Sequence, residues 1–134
     1  MGYTLKNLKQ VDDAATAFGL SPDLEARFAR KPLESKKVAV SYQRLLPNVR
    51  IPFGHKHAAQ EEIYVVLSGS GQAKVEDETV DLKQWDALRV DPETMRDIES
   101  GPDGIEFIAV GGPIGEQNDA DMVNDWWTTD APRE

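Results

Sequence analysis

The chain contains no cysteine. That excludes disulfides, thiolate metal sites, iron–sulfur clusters and a cysteine nucleophile. Histidine is almost as scarce: there are two, His55 and His57. Basic residues are outnumbered, with 15 Lys and Arg against 24 Asp and Glu and a formal charge of −9. Sequence-independent binding to nucleic acid or to an anionic membrane needs a basic face, so neither is an expected partner. No run approaches the ~20 apolar residues of a membrane-spanning helix. The opening "MGYTLKNLKQVDD" lacks the apolar stretch of a secretion signal. A soluble, cytoplasmic protein is the expectation. Repeats and low-complexity segments are also missing.

What is present suits one globular domain. The 134 residues are 40% hydrophobic, long enough to bury a core without a structural metal. Strand signals dominate residues 37–110. "KKVAVSYQRLL" is β-branched and aromatic and is followed by a Pro47-Asn48 turn. "EEIYVVL" is a short apolar run, and "SGSG" after it reads as a hairpin turn. "QAKVEDETVDL" reads as two strands around an acidic turn, and "DALRV" as another, stopped at Asp91-Pro92. "RDIES" leads into a "GPDG" turn, and "IEFIAV" closes the series. Short strands with short connections predict an all-β sandwich or barrel. "VDDAATAFG" predicts one or two helical turns ended by Gly19, while "DLEARFAR" is ambiguous between helix and strand. Beyond Pro113 the chain is acidic and polar. Its Trp126-Trp127 pair predicts a tail pinned to the body, because exposed paired indoles cost solubility.

The chemistry concentrates in "GHKHAAQEEIYVV", residues 54–66. On a strand, residues i and i+2 share a face, so His55 and His57 point the same way and Lys56 the other. Glu62 follows five residues later, and a turn through "AAQ" brings it back beside them. Glu61 then points away, and Tyr64 and Val66 follow Glu62 inward. Two histidines and one carboxylate form a ligand set for iron(II), manganese or zinc. The lack of sulfur disfavours a structural zinc site. Tyr64 would bring a hydroxyl to the cavity, as a hydrogen-bond donor, an acid, or simply a core tyrosine. One of Gln43 and Arg44 also faces inward, and alternation alone does not choose between them.

"PFGHKH…EEIYVVLSGSG" resembles the first motif of the cupin superfamily, His-x-His, three or four residues, Glu, six residues, Gly. His55, His57, Glu62 and Gly69 fit that spacing. "LKQWDALRVDPETMRDIES" resembles the second motif, with Asp86 and Pro92 in register. The resemblance covers roughly residues 37–112 and extends to small single-domain bacterial cupins. It implies a jelly-roll β-barrel spanning 1–134, with a core at about 37–112, an N-terminal arm at 1–36 and a C-terminal tail at 113–134. It also implies a barrel site, commonly metal-binding, and a dimer.

The departures from the pattern bear on the chemistry. Arg96 stands where the second motif supplies a third histidine, Glu93 where glycine is usual, and Trp85 at a turn glycine. The glycine that leads the first motif is missing. A guanidinium stays protonated and cannot ligate a metal. Three roles for Arg96 follow. It pairs bidentately with Glu62 and leaves the site metal-poor; or the metal stays on His55, His57 and Glu62 while Arg96 holds an anionic substrate; or Arg96 lies at the solvent rim. The expected pocket is His55, His57, Glu62, Tyr64 and Arg96. Its expected content is a small polar or anionic molecule, with no metal or a weakly bound divalent ion whose identity among Fe, Mn, Zn and Ni the ligands do not select. A metal-dependent dioxygenase or isomerase is the alternative. If Glu62, Tyr64 and Val66 face in, then Ile63, Val65 and Leu67 face out, and a second subunit is expected to cover them.

Overall fold

Alternation of apolar and polar residues is what curls this chain into a barrel. The computed structural model describes residues 2–127. A short 3-10 turn (Leu8–Gln10) and a one-turn helix, α1 (Ala14–Ala17), precede β1 (Leu24–Phe28). Asp13 caps α1 by accepting from Ala15 N, and Gly19 follows at φ +73°, as the sequence predicts. A second one-turn helix, α2 (Arg30–Leu33), is followed by β2 (Ala39–Leu45), β3 (Phe53–His57), β4 (Glu61–Val75), β5 (Glu78–Lys83), β6 (Ala87–Val90), β7 (Arg96–Gly112) and β8 (Ala120–Asn124).

All pairings are antiparallel. The order is β1-β2-β7-β3-β8, with β4 also pairing with β5, β6 and β7. The two long strands, β4 and β7, run through both faces of the barrel. The second half of β7 pairs with β2, and its first residue, Arg96, lies opposite His55 on β3. The inward faces of β2, β4 and β7 build the core from Leu45, Tyr64, Val66, Ile105, Phe107 and Ala109.

Four sequence expectations change. "SGSG" is not a hairpin turn but a bulged continuation of β4, with register shifts between Val66 and Ser68 and between Gly69 and Gly71. "GPDG" likewise lies within β7. Each bulge lets one strand bend without ending, and local turn chemistry looks the same in either case. Gly69 is needed there: at φ +77°, a Cβ would sit 2.1 Å from the Gly104 carbonyl oxygen. "DLEARFAR" resolves into strand β1 followed by the start of α2. Finally, the sheet exceeds the expected core of 37–112, because β1 lies in the arm and β8 in the tail. Residues 128–134 of the predicted tail lie outside the described residues.

The tail is pinned as its indoles predict. Trp127 is buried, with the Arg50 guanidinium stacked 4.2 Å from its ring centroid. Trp126 lies under Lys74 and against Gly54, where a Cβ would come within 2.6 Å of the indole. The strap therefore packs directly behind the strand that carries both histidines. Trp85 adopts φ +73°, the left-handed conformation that explains a glycine at this turn in the resembling family. Among the described residues, no helix is long and apolar enough to cross a membrane.

Candidate functional site

The histidine strand β3 is five residues long, and its register against β8 and β7 holds both imidazoles on one side. Their ring centroids lie 5.0 Å apart, edge to face. The turn after His57 returns the chain along β4, and Glu62 meets both rings. His55 Nε2 donates to Glu62 Oε1 at 3.1 Å, and His57 Nε2 lies 3.5 Å from Glu62 Oε2. The three residues can each present a ligand atom within 4.8 Å of the others. Tyr64, two residues on and on the same face, is buried and donates to Glu62 Oε1 at 2.6 Å. The structure thus places His55, His57, Glu62 and Tyr64 together. Two open clefts of about 710 and 740 Å³ lie elsewhere, along the arm beside Pro32 and Leu33.

Arg96 completes the cluster. It is 1% exposed, which excludes a place at the solvent rim. It does not form the bidentate pair with Glu62 either. One nitrogen, Nη1, lies 3.7 Å from Glu62 Oε1. The guanidinium is held instead by backbone: Nη1 donates to the His55 carbonyl at 3.4 Å and Nη2 to the Asp91 carbonyl at 2.9 Å. Its ion partner, Glu62, is already used by His55 and Tyr64, so two of the fork's nitrogens rest on main-chain oxygens and Nε is left without an acceptor among the described residues.

The sequence reading missed Asp119. It lies beyond β7, 62 residues after His57, and no local motif marks it. His57 Nδ1 donates to Asp119 Oδ1 at 2.8 Å. Asp119 is itself fixed by Ala59 N at 2.7 Å, Gln60 N at 3.1 Å and Gln60 Nε2 at 2.8 Å. A carboxylate at Nδ1 sets the proton there and aims Nε2 into the site. The only sequence signal was an acidic residue in a stretch too polar to single one out. The open choice between Gln43 and Arg44 is also settled. Gln43 lies opposite Phe107, a core residue, while Arg44 faces outward to Glu25 at 3.2 Å.

Electrostatics follow from burial and these contacts. Burial disfavours the Glu62 carboxylate, but the hydrogen bonds from His55 and Tyr64 and the nearby His57 ring outweigh it and hold its pKa well below the usual range. Asp119 behaves the same way: burial opposes its charge, and the Ala59 amide, His57 and Gln60 hold its pKa low. For His57, burial works against the imidazolium. The Glu62 and Asp119 carboxylates overcome it, and its pKa is raised. Tyr64 is pushed well above 10 by burial and by the Glu62 charge, so its hydroxyl keeps its proton.

A cation fits part of this set. Asp119 orients His57 as the outer carboxylate of a metal-bound histidine would, and Glu62 supplies oxygen. Such an ion would serve as a Lewis acid. Arg96 does not fit. A fixed guanidinium ~5 Å from a divalent ion costs about 7 kcal/mol even at an effective dielectric of ~20.

Eight antiparallel strands in this order around a His-x-His and glutamate cluster define a cupin-type, double-stranded β-helix barrel. Comparison with known proteins agrees. No family model matches the chain. An uncharacterised protein of Methanocaldococcus jannaschii is 29% identical over 110 residues, 69% of this chain and 88% of that one. A cupin protein from Bacteroides fragilis superposes with a TM-score of 0.69 at 25% identity, covering 88% of this chain and 90% of that one. A predicted oxalate decarboxylase from Thermotoga maritima gives 0.60 at 26% identity over 68% and 81% of the two chains. The chain has the cupin fold.

Proposed function

We propose that the barrel binds a small polar or anionic molecule, with Arg96 in the place that a metal ion's third histidine would take. One observation carries this reading. Two buried nitrogens, His57 Nε2 and Arg96 Nε, have no hydrogen-bond acceptor among the described residues. An unmet buried donor costs about 1–3 kcal/mol. With His57 protonated, both nitrogens are donors, and a ligand that brings an oxygen acceptor recovers that cost. The balance of charge agrees. His57 and Arg96 offset Glu62 and Asp119, so the cluster is stable without an ion. Titration with sodium butanoate, followed by NMR, tests the reading. Wild-type protein is expected to show saturable shifts that Arg96→Met weakens at least tenfold. Shifts of equal size in the variant would refute it.

A second reading is a three-ligand metal centre on His55, His57 and Glu62. The Asp119–His57 contact favours it, because the same carboxylate also prepares a histidine to ligate. The fold is shared with a predicted oxalate decarboxylase, so metal-dependent chemistry is the activity class to test under this reading. The two readings separate at Arg96. If Arg96→His raises metal affinity steeply, the native site lacks its fourth ligand; if wild type already binds tightly, the second reading holds.

The outer face of β4 supports a dimer. Ile63 is 40% exposed and lies opposite Val110, which is 37% exposed. Val65 and Leu67 continue the same face and are half-buried. A second copy of the chain would cover it.

A further inference from the structure

Residues 2–6 run extended along the N-terminal arm, and no strand pairs with them among the described residues. The arm joins the body at Asn7, whose side chain accepts from Lys9 N and caps the 3-10 turn. An extended chain alternates its side chains, so Tyr3 and Leu5 point to one side and Thr4 and Lys6 to the other. The apolar pair is almost bare: Tyr3 is 83% exposed and Leu5 85%. The open clefts beside Pro32 and Leu33 lie between the arm and its own body, so the chain does not bury the pair itself.

An uncovered apolar face lies close by. Val40, Val110, Ile63 and Arg89 lie opposite one another in turn across β2, β7, β4 and β6. Opposed residues share a face. This one is outward, because Ala109 and Tyr64, the next residues along, are buried inside. Val110 and Ile63 are exposed, Val40 is half-buried, and Val38, just before β2, is 56% exposed. The cleft wall at residues 33–36 leads straight into Val38. Val38 in turn packs at the end of β7, where a Cβ on Gly112 would meet it at 3.2 Å. The arm therefore lies at the border of the apolar face without covering it.

We propose that this face is where the arm of a second copy docks: residues 2–6 of each chain cross onto β2, β7 and β4 of the other, with Tyr3 and Leu5 packed on Val38, Val110 and Ile63. The inference rests on the proposed dimer through the outer face of β4 and adds the segment that completes it. Area is the first argument. The face alone leaves roughly 400 Å² to bury, about half of the ~800 Å² per partner of a stable interface. Tyr3 and Leu5 add roughly as much again, since an aromatic side chain alone contributes about 150–250 Å². Each chain gives both an arm and a face, so the sum reaches what a stable dimer needs. Reach is the second argument. Five extended residues span roughly 16 Å, and three neighbouring strands roughly 10 Å. Pattern is the third. With Tyr3 and Leu5 turned to the sheet, Thr4 and Lys6 stay in water, where their polar groups need no protein partner. Net charge opposes the contact, because each copy carries −9, so apolar burial has to drive it.

The chain has no cysteine, so introduced thiols report on the contact directly. Leu5→Cys, labelled with a heavy isotope, is mixed with unlabelled Val38→Cys, Ile63→Cys or Val110→Cys and oxidised. Each chain then carries one thiol, so a mixed disulfide forms only between copies, and mass spectrometry separates mixed from like pairs. At least one of the three mixtures is expected to give mixed disulfide clearly above the level reached with Asp77→Cys, an exposed control on the turn between β4 and β5. Sedimentation of the cysteine-free proteins supplies the second readout. Wild type is expected to be a dimer, and the double substitution Tyr3→Ser with Leu5→Ser to weaken it by about tenfold or more, as loss of an aromatic anchor does. Lys6→Ser is expected to leave the dimer unchanged. A dimeric wild type that the double substitution does not weaken, with no mixed disulfide above the control, overturns the arm exchange and leaves the β4 face standing. A monomeric wild type overturns both. Circular dichroism of each variant verifies that it is folded.

Discussion

Asp97 gives the chain a stability that falls as pH rises. It is 4% exposed on the outer face of β7, next in sequence to Arg96. Its Oδ1 accepts from the Ile98 amide at 2.7 Å, and Oδ2 has no partner among the described residues. Burial raises its pKa to about 8. The Ile98 amide and the Arg50 and Lys74 charges counter this only in part, and Glu99 adds to the rise. Between about pH 4 and pH 8 the unfolded carboxyl is ionised and the folded one is protonated, so the folded state binds more protons. Stability from this group is fully present below the unfolded pKa and is lost as pH rises to the folded one. Each pH unit in that window is worth about 1.4 kcal/mol, so the loss between pH 5 and pH 7 is about 2.7 kcal/mol. Asp97→Asn keeps the shape and removes the ionisation. Urea unfolding of both proteins at pH 5, 6, 7, 8 and 9 isolates the term, because the other titrating groups are common to both. The variant's stability relative to wild type is expected to grow by about 1.4 kcal/mol per pH unit up to pH 8 and then level off. A difference that stays constant from pH 5 to pH 9 would refute the reasoning, and a folded Asp97 that titrates near 4 by NMR would locate the error.

Other outcomes follow from particular contacts. Gly54→Ala sets a methyl against the Trp126 indole and is expected to cost about 1–3 kcal/mol, with a red shift in tryptophan emission as the strap lifts. Trp85→Gly relieves a left-handed backbone at a 71% exposed side chain and should stabilise by about 1 kcal/mol, read by thermal unfolding. Under the proposed dimer, Val110→Lys places a charge on the exposed face of β7 beside Ile63, and sedimentation is expected to show a dimer for wild type and a monomer for the variant; a monomeric wild type would refute the dimer, and a variant that stays dimeric would refute this face as its interface. Glu25, held to a pKa of about 2 by Lys9 and Arg27 against the pull of burial, gives stability that is present above pH ~4.5 and is lost as pH falls towards 2. Glu25→Gln should therefore flatten the acid limb of the unfolding profile.

The part of the site that sequence reveals is the part that is local. His55, His57, Glu62 and Tyr64 fall within ten residues, and strand alternation with one turn is enough to bring them together. Arg96 was visible as a departure from a spacing, but its partners were not. The fork rests on the carbonyls of His55 and Asp91, and backbone acceptors leave no trace in residue types. Asp119 was hidden for a different reason. It reaches His57 only because β8 folds back along β3, a long-range pairing in a segment whose polarity reads as tail. The bulges at "SGSG" and "GPDG" misled because glycine permits both a chain reversal and a bend within a strand. Only the partner strand decides between them. At Trp85 the pattern did carry physics, since the turn that takes glycine elsewhere imposes a positive φ here too.

The claim that Arg96 stands in for an ion meets its most direct test in metal content. Wild type and Arg96→His, purified without an affinity tag, would be reconstituted with iron, manganese, zinc or nickel, desalted and measured by elemental mass spectrometry. The account predicts metal far below one ion per chain in wild type and close to one in Arg96→His. Near-stoichiometric metal in wild type, retained through desalting, would contradict it and make Arg96 a neighbour of the metal rather than its replacement.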